Sequence, residues 1–395
     1  MTNWIEIENK YYMQVARRQP LVLVKGSGTR IWDDTGKEYL DFTAGWAVDT
    51  LGHCHPSLVK AIEEQAKTLI QTSNQFFTVP QLKLAESLVE NSCLDRVFFC
   101  NSGAEANEGV VKLARKYGRL NRGGAYEVIT ALNSFHGRTL TMAAATGQPN
   151  YQKEWHPLAP GFVNVPYDDI DAIKQATNGN TCAVMLEPVQ GEGGVNVPSA
   201  SYLKQVREWC DENNLVMILD EVQTGVGRLG SLFGYEQFDV EPDAITLAKG
   251  LGGGMPIGAF MSKDQFSVLS PGDHGSTYGG NPLACAAAHA VVDHVIHNNI
   301  TEHVKTVSQH FFDGLHQLQS KHDIITEIRG LGLLIAVQFR EEISAQVVSS
   351  ANDQGLLLNP VRPNAIRLMP PLTVTSEEID GALKLLDAAL DNIKA

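Results

Sequence analysis

The chain has 395 residues, 43% of them hydrophobic, and a formal net charge of −14. That acidity leaves no electrostatic footprint for nucleic acid or an anionic membrane surface, and no lysine or arginine cluster stands out against it. The length suffices to bury one large core and a smaller one, which favours a two-domain globular protein that works on small molecules.

The amino terminus, Met1-Thr2-Asn3-Trp4-Ile5-Glu6, lacks a basic segment followed by an apolar core. No apolar stretch approaches the roughly 20 residues needed to span a bilayer, so the expected location is the cytoplasm. Residues 21–24 and 30–32 read as strands, with a hairpin turn at Asp34-Thr35-Gly36 leading to Tyr39-Leu40-Asp41-Phe42. This is a small antiparallel entry segment. From about residue 56 the pattern changes to helices alternating with short, wholly apolar strands at 97–100, 127–131, 183–186 and 216–219. Runs that are apolar on both faces indicate a sheet covered by helices on each side. The last hundred residues carry apolar runs at 333–337, 356–358 and 365–368, then a helix opened by a Thr375/Glu378 capping box. The expected division is an N-terminal segment over 1–50 that packs with the small domain, a large α/β domain over 51–290, and a C-terminal small α+β domain over 291–395. Six scattered cysteines without CxxC spacing read as reduced thiols, with no disulfide and no structural zinc.

In an open α/β sheet, ligands bind beyond the carboxyl ends of the strands, so the residues after each apolar run are the ones to inspect. Lys249 follows the run Ala244-Ile245-Thr246-Leu247-Ala248 and precedes Gly250-Leu251-Gly252-Gly253-Gly254. A lysine delivered by a buried strand into a permissive loop is placed where its amine can be desolvated and attack a carbonyl carbon. A strand-end lysine that merely reaches solvent is the plain alternative. Ser102-Gly103-Ala104 opens a helix directly after a strand, which offers free N–H groups to a phosphate or is an ordinary serine cap. Phe135 is a platform for a flat ring or a packing residue, and Arg138 a carboxylate fork or a surface charge. Asp220, at the end of a buried strand, needs a cationic partner, either an arginine or a protonated ring nitrogen. Glu187-Pro188-Val189-Gln190-Gly191-Glu192-Gly193-Gly194 is a carboxylate loop with glycines for close approach, or a turn. No GxxxxGK[ST], HExxH or GxSxG motif occurs, and His53-Cys54-His55 has no second ligand cluster nearby in sequence to make a metal site.

Ser102-Gly103-Ala104-Glu105-Ala106-Asn107, Phe135-His136-Gly137-Arg138-Thr139, Asp220-Glu221-Val222-Gln223-Thr224-Gly225 and Lys249, in this order, resemble the class III aminotransferases. The resemblance runs from about Gly26 to the carboxyl terminus. It implies the fold-type I architecture of pyridoxal-phosphate-dependent transferases, a large α/β/α sheet domain with a smaller α+β domain. Under it, Lys249 carries pyridoxal 5'-phosphate and moves the proton at the reacting carbon, Asp220 pairs with the ring nitrogen, and Phe135 stacks on the ring. Gln223 approaches the phenolic oxygen, and Ser102, Gly103 and Ala104 cradle the phosphate. Thr277 reaches the phosphate of a neighbouring subunit, which makes a homodimer part of the site. Arg138, with Ser276 beside it, grips the substrate carboxylate far from the reacting amine. Arg367 binds the α-carboxylate of glutamate and 2-oxoglutarate, and Glu192 neutralises Arg367 in the other half-reaction. Ala47-Val48 with Leu51-Gly52-His53-Cys54-His55-Pro56, and Ser276-Thr277-Tyr278-Gly279-Gly280-Asn281-Pro282, are most similar to the branch of the family that uses N2-acetylornithine in arginine biosynthesis. Ornithine, succinylornithine and 4-aminobutyrate are the alternative substrates, and a 2,1-aminomutase the alternative activity. Ala16 and Trp46 depart from the family pattern at positions expected to line the substrate entrance.

Overall fold

The computed structural model describes residues 3–394; the expected outer segments also include Met1, Thr2 and Ala395, which lie outside the described residues. Strands in chain order are β1 (Leu23–Ser27), β2 (Arg30–Asp33), β3 (Glu38–Asp41), β4 (Arg96–Cys100), β5 (Glu127–Ala131), β6 (Phe162–Val165), β7 (Thr181–Leu186) and β8 (Val216–Asp220). They continue as β9 (Ala244–Leu247), β10 (Gly258–Ser262), β11 (Ile325–Leu331), β12 (Leu334–Phe339), β13 (Leu356–Leu357), β14 (Asn359–Arg362) and β15 (Ala365–Leu368).

A seven-stranded sheet of order β4-β10-β9-β8-β7-β5-β6 forms the centre. β9, β8, β7, β5 and β6 are parallel, whereas β10 runs antiparallel to both β4 and β9. Every residue of β7, β8 and β9 is buried, as expected for strands covered on both faces. The helix Gly103–Asn121 covers one face through Val110, Leu113, Ala114 and Tyr117. The other face joins a continuous apolar cluster that extends from Leu219 and Leu247 to Ile335, Leu368 and Leu386 near the carboxyl terminus. The lobes therefore share one core, and the edge of the large sheet is fixed relative to the strands that follow it.

A second sheet, β11-β12-β15-β14, is wholly antiparallel. The closing helix Ser376–Lys394 starts at the expected capping box: Glu378 N donates to Thr375 Oγ1 at 3.2 Å, and Thr375 N to Glu378 Oε2 at 3.0 Å. The run at 356–358 departs from expectation. Its strand β13 leaves the C-terminal sheet and pairs in parallel with β3, adding a fourth strand to β1-β2-β3. Backbone groups of Leu40 and Phe42 donate to Gly355 and Leu357, so the N-terminal segment is stitched to a stretch more than three hundred residues away.

Candidate active site

Groups from the carboxyl ends of β4, β5, β7, β8 and β9 meet around a cavity of about 430 Å³. Its lining includes Ser102, Gly103, Ala104, Phe135, Arg138, Glu192, Asp220, Gln223 and Lys249, nine of the residues singled out from sequence. Arg367 adjoins it through Glu192 and Gln223. Ser276 and Thr277 are not in the lining. Ser276 Oγ accepts from Asn101 Nδ2 at 3.1 Å, and Thr277 is exposed, its carbonyl held by Gln71. Ala16 lines a groove formed by the N-terminal arm, and Trp46 is 56% exposed, so neither lines the cavity as expected for a substrate entrance.

Lys249 follows the buried strand β9 in a short 3-10 turn, with φ +38, and Thr50 Oγ1 donates to the next carbonyl, Gly250 O, at 2.8 Å. Burial pushes the amine below its ordinary range, Arg367 adds to the effect, and Glu192 and Asp220 oppose it. The turn that abuts it is itself strained. Ala44, Gly45, Trp46 and Ala47 all have φ between 43 and 66, a left-handed turn that costs L-residues roughly 1–2 kcal/mol each. Asp41 offsets that cost: its Oδ1 accepts from Thr43 N, Thr43 Oγ1 and Ala44 N, and His53 Nε2 binds its Oδ2 at 2.8 Å. His55 packs on His294 instead, so the two histidines flanking Cys54 do not converge.

Asp220 is 3% exposed and accepts from Val222 N at 3.0 Å and Asn107 Nδ2 at 2.8 Å, and its Oδ2 lies 2.8 Å from His136 Nδ1. Burial alone would disfavour a charged imidazole, but the bond to Asp220 and the Asp220 charge raise the His136 pKa. Sequence reasoning quoted His136 and Asn107 within motifs but gave them no role. Glu187, at the end of β7, accepts from Phe135 N at 3.0 Å and Gly191 N at 3.2 Å, and burial pushes its carboxyl up to about 7. Phe135 stands edge-on to Tyr151, with ring centroids 5.5 Å apart. The Arg138 guanidinium lies 4.7 Å from the Tyr151 ring and 5.6 Å from that of Phe135, a cation–π seat for an exposed arginine.

Arg367 is fully buried, on β15. Its guanidinium meets Glu192 Oε1 at 2.8 Å, Gln223 Oε1 at 2.9 Å and Asn359 Oδ1 at 2.8 Å. Asn359 escaped the sequence reading. For Glu192, burial favours the neutral acid, but Arg367 and Lys249 outweigh it and hold the carboxyl below its ordinary range. Gln223 can approach only because position 191 is glycine, since a Cβ there would fall 1.7 Å from its Oε1.

The residues fit a phosphorylated aromatic aldehyde. Ser102 caps the helix Gly103–Asn121, and the N–H groups of Gly103 and Ala104 lie in its first turn, where a helix has no internal acceptors. A Cβ at Gly103 would crowd Val222 at 2.9 Å, so glycine keeps that wall open. An aromatic face at Phe135, a carboxylate at Asp220 and a desolvated amine at Lys249 line the same cavity. These residues would hold pyridoxal 5'-phosphate, which supplies, when bound, a carbonyl carbon for a primary amine and a ring that withdraws electrons from it.

The fold and site thus define a fold-type I, pyridoxal-phosphate-dependent enzyme. Residues 11–390 match the family described as aminotransferase class-III, and the chain belongs to that family and is an aminotransferase. It is 53% identical over 391 residues to the acetylornithine aminotransferase of Caldanaerobacter subterraneus subsp. tengcongensis, covering 99% of this chain and 100% of that one. An ornithine aminotransferase structure from Toxoplasma gondii with partial occupancy of PLP at its active site superposes with a TM-score of 0.95 at 36% identity, covering 99% of this chain and 94% of that one. The acetylornithine aminotransferase of Elizabethkingia anophelis gives 0.89 at 35% identity, covering 98% of both chains.

Proposed function

We propose that the enzyme converts N2-acetylornithine and 2-oxoglutarate into N-acetylglutamate 5-semialdehyde and glutamate, a step of arginine biosynthesis, by two alternating half-reactions. The observation that carries this reading is the buried Glu192–Arg367 pair at 2.8 Å. One half-reaction brings an α-carboxylate to Arg367; the other brings a terminal amine with no carboxylate there, and a buried arginine would then stand uncompensated without Glu192. The relative at 53% identity carries the same acetylornithine name.

Lys249, its amine pushed below the ordinary range by burial, would hold the cofactor and is placed to take and return the proton at the reacting carbon. Asp220 would hold the ring nitrogen, Phe135 the ring face, Gln223 the phenolic oxygen, and Ser102, Gly103 and Ala104 the phosphate. Arg138, with Ser276 nearby, takes the distal carboxylate. The enzyme works as a cytoplasmic homodimer without nucleic-acid or membrane partners. Phe76, Phe77, Val79, Leu82 and Tyr278 are more than half exposed in one chain, and Asn74 Nδ2 ties their segment to the Ser276 and Gly279 carbonyls, beside Thr277. A second copy would cover them and bring Thr277 to its phosphate. No helix among the described residues is long and apolar enough to cross a membrane. Residues 51–290 form the large cofactor-binding domain, 291–394 the small α+β domain, and 3–50 an N-terminal segment that packs with the small domain.

Turnover measured separately with acetylated and free ornithine tests the reading, and preference for free ornithine would overturn it. An aminomutase would not require 2-oxoglutarate, so omission of the keto acid tests that activity.

A further inference from the structure

Three consecutive residues, Glu192, Gly193 and Gly194, are each held by a different arginine of the same antiparallel sheet. Arg367 on β15 meets the Glu192 carboxylate at 2.8 Å. Arg362 on β14 donates Nε and Nη2 to Gly193 O at 2.9 and 2.6 Å. Arg329 on β11 donates Nε and Nη2 to Gly194 O at 3.0 and 2.7 Å. Both arginines are anchored in turn, Arg362 Nη2 on Asn133 Oδ1 at 2.9 Å and Arg329 Nη1 on Gln338 Oε1 at 2.7 Å.

The loop has little slack elsewhere. Gln190 and Asn196 exchange backbone hydrogen bonds at 3.0 Å, and Gln190 Nε2 donates to Leu132 O at 2.9 Å. A Cβ at Gly193 would fall 2.4 Å from Asn133 O, and buried Val195 is held at φ +55. Gly194 itself has φ +118, a conformation that suits glycine. These contacts tie the main chain on either side of Glu192 to its surroundings, including the sheet that bears Arg367.

We infer that Arg329 and Arg362 are positioning residues for substrate choice: by clamping the Gly193 and Gly194 carbonyls, they confine exchange at Arg367 to rotation of the Glu192 side chain. The inference rests on the reading that Glu192 yields Arg367 to the α-carboxylate of glutamate and 2-oxoglutarate and covers it in the other half-reaction. With the clamp in place, Glu192 returns to one position opposite Arg367 whenever no carboxylate competes. Without it, the loop drifts and Arg367 is covered less well. The acetylornithine half-reaction then suffers, while the glutamate half-reaction, which displaces Glu192 in any case, is spared.

The test is single-turnover kinetics of each half-reaction on the holoenzyme, with Arg362→Met, Arg329→Met and the lysine forms Arg362→Lys and Arg329→Lys. Each methionine variant should lose about tenfold in kcat/KM for acetylornithine and change less than about twofold for glutamate, because the charge-assisted clamp is lost in both states but matters only where Glu192 must cover Arg367. The lysine variants keep one donor and should lie between. If the methionine forms do not fold, the lysine forms carry the test, with a shift of about threefold in the same direction. Glu192→Gln measured alongside separates the two levels. If it leaves the ratio of half-reactions unchanged, the reading of the Glu192–Arg367 pair fails and takes this inference with it. If it shifts the ratio but the arginine variants slow both half-reactions equally, or neither, the inference alone is overturned.

Discussion

His136 and Asp220 share one hydrogen bond, Nδ1 to Oδ2 at 2.8 Å, and neither side chain is more than 3% exposed. His136 Nε2 has no partner among the described residues, so the imidazole serves Asp220 alone. A hydrogen bond to a charged group contributes about 1.5–3 kcal/mol, equivalent to roughly 10–100-fold in rate where the carboxylate must be oriented for chemistry. Replacing His136 with leucine should lower kcat by that factor with saturating substrates and weaken cofactor binding. Asparagine, which keeps a donor near the Nδ1 position, should recover most of the loss. Equal kcat for the two variants would show that His136 only fills space.

Lys249 has no salt bridge among the described residues, and burial lowers its pKa. An amine that is desolvated and unpaired weakens the fold in the absence of cofactor. Lys249→Ala should therefore abolish turnover and remove the near-violet absorption of lysine-bound pyridoxal, while the cofactor-free protein melts at or above the wild-type temperature. A variant that lost both the absorption and several degrees of apoprotein stability would show that Lys249 also supports the fold.

Lys249, Asp220, Phe135 and the Ser102 turn were legible because each follows an apolar run, and local period marks where a buried strand ends. The long helix after Ser102 and the Thr375 capping box were legible for the same reason, since their signals lie within a few residues. Arg362 gave no such signal. Its acceptor, Gly193, is 169 residues away, and nothing near Pro363 marks it as more than a surface charge. Asn359 was hidden likewise, by a contact that exists only once β14 pairs with β15. The run at 356–358 was recognised as apolar, but its partner β3 was not, because a run specifies burial and not which strand covers it. β10, Gly258–Ser262, was not among the expected strands although all five residues are buried; it pairs antiparallel with both β4 and β9.

Glu221, next to Asp220, is a purely structural carboxylate with a pH signature. It accepts from Thr224 Oγ1 at 2.6 Å, Gly234 N at 2.8 Å and Tyr235 N at 2.7 Å, and burial pushes it up to about 7. The folded-state value lies above the unfolded one, so its contribution to stability is complete below about pH 4.3 and is lost as pH rises through about 7. The shift corresponds to on the order of 3–4 kcal/mol across that window. Glu221→Gln should be less stable at pH 5, because an amide N–H faces backbone donors, yet its melting temperature should fall less steeply between pH 5 and 8. Parallel profiles for wild type and variant would sink this account.

Phe77 is 93% exposed in the single chain, and its segment holds the loop that bears Thr277 through Asn74 and Gln71. If a second copy covers it, burying the ring contributes about 1.5–3 kcal/mol in each of two symmetric positions. A glutamate there would forfeit that gain and bury a charge. Phe77→Glu should raise the dimer dissociation constant at least about 100-fold, as read by sedimentation equilibrium. Because Thr277 would then be missing from the partner's phosphate site, cofactor affinity should fall in step with dimerisation and recover at high protein concentration. Thr277→Val should weaken cofactor binding without dissociating the dimer. Loss of cofactor in Phe77→Glu that no increase in protein concentration restores would separate the two effects and remove the partner subunit from the site.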